Sequence, residues 1–353
     1  MTIKVLGLSL YGSQAASTRY RLMQYSSGLR NEGIDIDIEP LLGNEYINAK
    51  FAGHQYQLTK LLADYCRRIY ILFMQRKYDV AIVHVELFPL LPGIIESNAL
   101  VIPYIYDFDD AFFLKYRSDR FNGVSFLLRD KFDPIIYRAA AVTAGNRYLA
   151  DYATHLNPAT RLLPTVVDTD RYIVAPNKRG EVFTVGWIGS PSTSVYLSEL
   201  TQPLARLGQE GLIRFVVVGG HCADIEGVEV VNMPWSEATE VGVINTFDVG
   251  VMPLFDDEWA RGKCAFKLIQ YMACGVPALA SPVGANAQVM DDACGLLAGG
   301  PEAWLDGLRR LRDDVALRKS MGAAARKRVE QFYSLRTMLP IMAETIKTVA
   351  AKR

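Results

Sequence analysis

Phe247-Asp248-Val249-Gly250-Val251-Met252-Pro253-Leu254, followed closely by Arg261-Gly262-Lys263-Cys264-Ala265-Phe266-Lys267-Leu268-Ile269-Gln270-Tyr271-Met272-Ala273-Cys274-Gly275-Val276-Pro277, decides the fold. The first run is apolar and β-branched and reads as a buried strand ending at Pro253. A polar loop follows. The second run reads as a helix that begins near Lys263 and is stopped by Gly275. On such a helix Lys263, Lys267, Gln270 and Cys274 recur at spacings of three and four and share one face, while Phe266, Ile269 and Ala273 share another. A buried strand feeding a helix with one apolar face is the repeating unit of a parallel sheet covered by helices.

The same alternation runs outward in both directions. Strand candidates in the first half are Ile3 to Leu8, Ile34 to Ile38, Val80 to Val85, Leu100 to Tyr106 and Ala141 to Ala144, with helical stretches such as Ser17 to Asn31 between them. Gly33 stops that first helix. From Leu163 to Gly180 the periodicity fails and Pro164, Pro176, Asn177, Lys178, Arg179 and Gly180 gather, which marks a linker. A second series then follows: Phe183 to Ile188, Phe215 to Val218, Val228 to Val231, Val249 to Pro253 and Ala278 to Ala280. The fold class is α/β, in two doubly wound Rossmann-like halves with ligand crevices at the carboxyl ends of the strands. The boundaries expected are residues 1–173, residues 174–332 and a terminal helical segment, 333–353.

Length agrees, because 353 residues exceed what one core usually holds. With 50% hydrophobic and 22% charged residues the chain is globular. Its net charge of +0 supplies no general field for nucleic acid, so any anion must be held by a local cluster. The five cysteines are scattered with no metal-ligand spacing, as expected of a reducing compartment; no metal or cofactor is expected. Met1-Thr2-Ile3-Lys4-Val5 runs straight into a strand, and no apolar run approaches ~18 residues, so a cytoplasmic protein is expected.

A helix amino end carries unpaired N–H groups and the positive end of the dipole, so with Lys263 and Lys267 it forms a diphosphate cradle; a solvated lysine face is the plain alternative. In the first half, Tyr106-Asp107-Phe108-Asp109-Asp110-Ala111 follows a buried strand. Its crowded carboxylates call for a cationic partner or a raised pKa, unless they serve only as turns and caps. Asp107-Phe108-Asp109 is also a metal-binding DxD by letter, a weak signal at three residues. Further upstream, Ser17 or Thr18 is an N-cap candidate, while Arg19 and Arg21 are cations where the dipole disfavours them. They answer either an anion or ordinary salt bridges. His84 reads as a satisfied core histidine. Phe112 to Arg117 with Arg120 and Phe121 interleaves aromatics and cations, which suits either anionic headgroups or a partly buried helix with snorkelling side chains.

The stretch from Asp248 to Gly284 resembles the donor-binding signature of the family-4 glycosyltransferases. Val185-Gly186-Trp187-Ile188-Gly189-Ser190 is similar to the first strand and glycine turn of that family's C-terminal domain. Val142-Thr143-Ala144-Gly145-Asn146-Arg147-Tyr148-Leu149 and Leu163-Pro164-Thr165-Val166-Val167-Asp168 resemble the end of its N-terminal domain. The resemblance implies a GT-B architecture with an interdomain cleft and a last helix crossing back onto the first domain. It implies an acceptor-side domain at 1–173, a nucleotide-sugar-binding domain at 174–332, and retaining transfer without a metal. The donor would be a nucleotide diphosphate sugar and the acceptor a sugar or lipid-linked molecule in glycan or glycoconjugate synthesis; peripheral contact at the inner face of the membrane is the expectation that the Phe112 to Phe121 run carries.

The family's two glutamates fall here on Gly262 and Gln270, and its basic pair after the first strand is replaced by Ser190-Pro191-Ser192-Thr193-Ser194. The resemblance therefore implies that Lys263, Lys267 and Arg261 neutralise phosphate and that Gly189, Ser190 and Thr193 supply hydrogen bonds. Gly262 would offer backbone to the hexose, and Gln270 would bond ribose. Asp107, Asp109 or Asp110 would face sugar or acceptor, with Lys267 stabilising charge, and Ser17, Arg19 and Arg21 would lie on the acceptor or phosphate side. A catalytically silent nucleotide-sugar-binding protein and a nucleotide-sugar epimerase or phosphorylase on the same fold are the alternatives.

Overall fold

The computed structural model describes residues 2–51, 53–117, 125–176, 180 and 182–352. Asn177, Lys178 and Arg179 of the expected linker, and Arg120 and Phe121, lie outside the described residues. The chain forms two compact units: Met1–Thr165 with Met338–Arg353, and Val166–Thr337.

In the first unit, six parallel strands, β1 (Ile3–Tyr11), β2 (Ile34–Leu42), β3 (Val80–His84), β4 (Tyr104–Phe108), β5 (Ala141–Ala144) and β6 (Thr160–Leu162), lie in the order β2-β1-β3-β4-β5-β6. The central strands are buried along their full length, as a sheet covered on both faces requires. Within this unit the helix Leu335–Ala350 returns to the first sheet's neighbourhood: Leu339 fills the space beside Gly28, and Lys347 pairs with Glu32.

The second unit repeats the plan. Strands β7 (Phe183–Ile188), β8 (Ile213–Val218), β9 (Val228–Met233), β10 (Val249–Met252), β11 (Ala278–Ala280) and β12 (Gly295–Leu297) lie in the parallel order β12-β11-β10-β7-β8-β9. That order reverses direction between β7 and β10, and such a switch point opens a crevice at the carboxyl ends of the strands. The two strands pair only at Val249 with Val185 and Gly250 with Gly186, and then part. The fully buried Tyr271 stands in the gap: Ile188 N–H donates to its hydroxyl at 3.0 Å, and the hydroxyl donates to the Val251 carbonyl at 3.4 Å. Gly250 makes room for it, since a Cβ there would lie 2.2 Å from the Tyr271 ring.

Four local readings are corrected. The strand expected at Leu100 begins only at Tyr104, after Pro103, and continues to Phe108, so Asp107 is a strand residue and not a loop residue. The expected helix Ser17 to Asn31 breaks at Leu22 (φ −124°) into Ala16–Arg21, a 3-10 turn Met23–Tyr25 and Ser26–Asn31. Tyr20, Arg21 and Leu22 are all buried, and one face of a continuous helix cannot bury three consecutive residues. Its N-cap is Ala15, not Ser17 or Thr18, whose hydroxyl instead donates to the Tyr11 carbonyl at 2.8 Å. The helix expected from Lys263 begins at Phe266, because Ala265 takes a left-handed conformation (φ 53°) after a separate turn, Glu258–Arg261.

Tyr271→Phe leaves the Ile188 N–H and Val251 carbonyl unpaired in the interior, a loss of about 1–3 kcal/mol. Urea unfolding checks this, and an unchanged midpoint would show that the hydroxyl does not bridge the strands.

Candidate functional site

At the parting of β7 and β10, strand β7 delivers Trp187 and then the Gly189 turn. Lys267, in the first turn of the Phe266–Ala273 helix, lays its ammonium 4.0 Å from the Trp187 ring centroid and 3.4 Å from the Thr193 hydroxyl. A Cβ on Gly189 would sit 2.7 Å from that ammonium, so glycine is needed for the lysine to reach the turn. Among the described residues no carboxylate lies within ion-pair distance of Lys267. Burial of the ammonium first, and the Lys263 charge second, push its pKa well below the ordinary lysine value. A cation desolvated, without a counter-ion, and placed where the helix dipole opposes it is held at a cost that a bound anion would remove.

The other residues proposed for the second unit are placed as follows. Ser190 N–H donates to the Thr193 hydroxyl at 3.2 Å and the Thr193 hydroxyl donates to the Ser190 carbonyl at 3.0 Å, so both shape the turn around Lys267. Lys263 precedes the helix instead of sharing its face, with its ammonium 5.9 Å from the Trp259 ring centroid. Arg261 is exposed and forks onto Asp256 at 2.7 and 3.2 Å, and the neighbouring Gly262 is buried. Gln270 spends its amide N–H groups inside: it donates to the Tyr172 hydroxyl at 2.8 Å and reaches Glu240 at 3.5 Å. Glu240 is a buried carboxylate that sequence reading passed over. It accepts from Arg171 at 2.7 Å, Tyr172 at 2.8 Å and Trp235 at 2.9 Å. No motif marks it, because Arg171 and Tyr172 lie 69 and 68 positions away and only Trp235 is near in sequence.

In the first unit Asp107 is fully buried and accepts on both oxygens: from Arg21 Nε at 3.1 Å and Arg21 Nη2, from Thr143 Oγ1 at 2.6 Å, and from His84, whose Nδ1 lies 2.8 Å away. Burial alone would push its pKa up, but the Arg21 charge and the bonds from His84 and Arg21 hold it well below the usual carboxylate range. Arg21 is itself buried and also donates to the Leu163 carbonyl at 2.6 Å. Neither group retains a face for substrate: Arg21 is a structural cation whose anion is Asp107, and this pairing also uses both oxygens a metal-binding DxD would need. Asp109 and Asp110 follow the strand half-buried, with Asp109 Oδ1 3.8 Å from His84 Nε2. Arg19 donates to the carbonyls of Ser13 and Gln14, both at 2.8 Å, while Ser17 is half-buried beside it. Phe113 stacks on Tyr152 and Tyr116 donates to Glu86 at 2.8 Å, so these aromatics are core and not a headgroup-facing surface.

Comparison with solved structures decides the architecture. The sucrose-phosphate synthase of Thermosynechococcus elongatus superposes with a TM-score of 0.68 at 14% identity, over 100% of both chains. Anabaena Alr3699/HepE, solved with UDP-glucose, gives 0.69 at 14% identity over 98% of this chain and 100% of that one. The chain has the GT-B fold. An α-glucosyltransferase solved with UDP and a 13-mer DNA containing an HMU base is a further GT-B neighbour, with a TM-score of 0.68 at 9% identity over 98% and 100% of the two chains. Within this GT-B chain, residues 182–314 match the family model of group 1 glycosyl transferases, a span that includes Gly189, Thr193, Lys263, Lys267 and Gln270. No curated protein matches the sequence significantly.

Removing Asp107 strands a buried guanidinium, so Asp107→Ala destabilises the protein by about 3–5 kcal/mol at neutral pH. The carboxyl's folded pKa is depressed, so its contribution is fully present above the unfolded value of about 4 and is lost as pH falls below it. The gap between wild type and variant in chemical denaturation therefore closes on acidification; a gap independent of pH would contradict the ion pair.

Proposed function

We propose that this chain is a glycosyltransferase that takes a sugar from a nucleoside diphosphate donor held at the carboxyl ends of β7 and β10. The observation that carries the reading is the Lys267 ammonium, lodged over Trp187 in the Gly189 turn with no carboxylate among the described residues within ion-pair distance. The group 1 family match over 182–314 supports it, as do GT-B neighbours whose solved complexes contain UDP or UDP-glucose.

In this reading the leaving diphosphate lies against Lys267 and the amino end of its helix, with Lys263 adjacent. As the glycosidic bond breaks, negative charge grows on the diphosphate, and the preorganised ammonium and helix N–H groups offset it, while Gly189, Ser190 and Thr193 keep the turn in shape. Gln270, Tyr172 and Glu240 form the wall behind the donor. An acceptor hydroxyl attacks the anomeric carbon from the face the diphosphate leaves and passes its proton to that diphosphate, so the anomeric configuration is retained. Within the first unit Asp109 and Asp110 are the acids left for an acceptor, since Asp107 is taken up by Arg21, His84 and Thr143. The acceptor is a sugar or lipid-linked molecule of glycan synthesis.

Lys267→Ala is expected to weaken UDP binding roughly 10- to 100-fold, the range for loss of a charged hydrogen bond, with partial recovery in Lys267→Arg. Titration calorimetry measures both, and full affinity in the alanine variant would sink the reading. Donor binding without hydrolysis or transfer would favour the catalytically silent alternative. NMR of the product anomeric proton tests retention.

Lys267 also ties binding to pH. Because its pKa is lowered in the free protein, the ammonium loses its proton as pH rises through that value, and diphosphate affinity falls. Binding between that value and the ordinary 10.5 takes up a proton, detectable as a buffer-dependent heat that Lys267→Met abolishes.

A further inference from the structure

The first unit has a switch point of its own, and a histidine there is only half satisfied. The strand order β2-β1-β3-β4-β5-β6 reverses direction between β1 and β3, which pair as far as Leu8 with Val83 and then part. His84 is the next residue of β3, and its side chain is 2% exposed. Its Nδ1 lies 2.8 Å from Asp107, and Arg21 keeps that carboxylate ionised, so Nδ1 carries the hydrogen and donates. Nε2 is buried with no hydrogen-bond partner among the described residues. A histidine with a purely structural role would ordinarily pair both nitrogens or turn the second to water.

The backbone beside it is strained. Val85, buried and β-branched, adopts a left-handed conformation (φ 71°). Glu86 N–H thereby turns back onto the His84 carbonyl at 3.1 Å, while Val85 N–H donates to the Asp107 carbonyl at 2.9 Å. In a continued strand residues 84 and 86 would share a face. The turn instead sends Glu86 to Lys115, Tyr116 and Lys131 and leaves the His84 ring between Asp107 and Asp109. Strain of this kind persists only where the surroundings enforce it, and it gathers at functional sites.

Asp109 completes the arrangement. It stands just past the end of β4 with its side chain 13% exposed, and its Oδ1 is 3.8 Å from His84 Nε2, beyond a direct hydrogen bond. With Nδ1 committed to Asp107, a second proton on the ring can sit only on Nε2, facing Asp109. Without a proton between them, Nε2 and the carboxylate oxygen are two acceptors turned toward each other and repel; with one, they attract. The imidazole therefore governs where the Asp109 carboxylate stands. A chain of contacts, Arg21 to Asp107 to His84 to Asp109, runs from the core to a partly exposed acid.

We propose that His84 is a positioning residue for the transfer: anchored by Asp107, it orients Asp109 to accept a hydrogen bond from a hydroxyl of the acceptor. The reacting proton still goes to the diphosphate, so none passes through His84. The inference rests on the glycosyltransferase reading, and two variants separate it from a structural role. Asparagine reproduces Nδ1 and stops short of Asp109, whereas glutamine reaches the Nε2 position and loses the bond to Asp107. With UDP-glucose as donor and methyl glucoside as acceptor, His84→Asn is expected to lower kcat about tenfold or more with UDP affinity unchanged, and His84→Gln to keep more of the rate. Equal losses, or the reverse order, would mean that His84 serves Asp107 alone and would overturn the proposal. A readout free of turnover is the nitrogen-15 spectrum of the imidazoles in the full chain, which has four histidines. Asp109→Asn is expected to shift the His84 Nε2 resonance and leave Nδ1 in place, and an unmoved Nε2 would contradict the pairing. UDP binding without transfer by the unaltered chain would remove the transfer reading and this role with it, while the spectrum would still report whether His84 and Asp109 are coupled, so the two failures are distinguishable.

Discussion

The site in the second unit depends on the parting of β7 and β10. Two adjacent parallel strands that diverge expose an N–H on one and a carbonyl on the other, and a gap in the interior is tolerable only if both are paired. Tyr271 does this with a single hydroxyl, and Gly250 gives up its side chain so that the ring fits. The same helix that carries Tyr271 into the gap carries Lys267 to its mouth. Strand geometry, the tyrosine wedge and the placement of the ammonium are therefore one arrangement.

The two units use buried charge in opposite ways. In the first, Asp107 is surrounded by Arg21, Thr143 and His84 until both oxygens are occupied, which fixes the ends of β3, β4 and β5 relative to the helix Ala16–Arg21. Such a pair gives definition more than net stability, because desolvation of both ions offsets much of their attraction. In the second, Lys267 has Trp187 and a hydroxyl but, among the described residues, no acid within ion-pair distance. A completed ion pair is structural; an incomplete one at a switch point is available to a ligand.

Arg68 donates to the Ser9 and Glu39 carbonyls and, with the buried Leu72, seats the helix Leu58–Phe73 on the first sheet, while Leu58, Leu62, Ile69 and Phe73 stay exposed. The aromatics at Phe112–Arg117, which the sequence offered as a surface, are instead used inside.

The sequence by itself determined the alternating α/β architecture, because periodicity and strand-ending prolines and glycines are local properties; Ala141–Ala144, Phe183–Ile188 and Ala278–Ala280 begin and end where the letters placed them. The edge strands at Thr160 and Gly295 were missed because, unlike the equally short Ala278–Ala280, they are only partly buried and carry no continuous buried run. It also singled out Lys267 and Gly189, which the fold brings side by side. Only the tertiary structure decided which charges are already neutralised. Arg21 and Asp107 are 86 positions apart, and Gln270 meets Glu240 across 30, so no local pattern records that these groups face each other. Burial and pairing are set by which elements pack together, and that is a property of the folded sheet rather than of any segment of the chain.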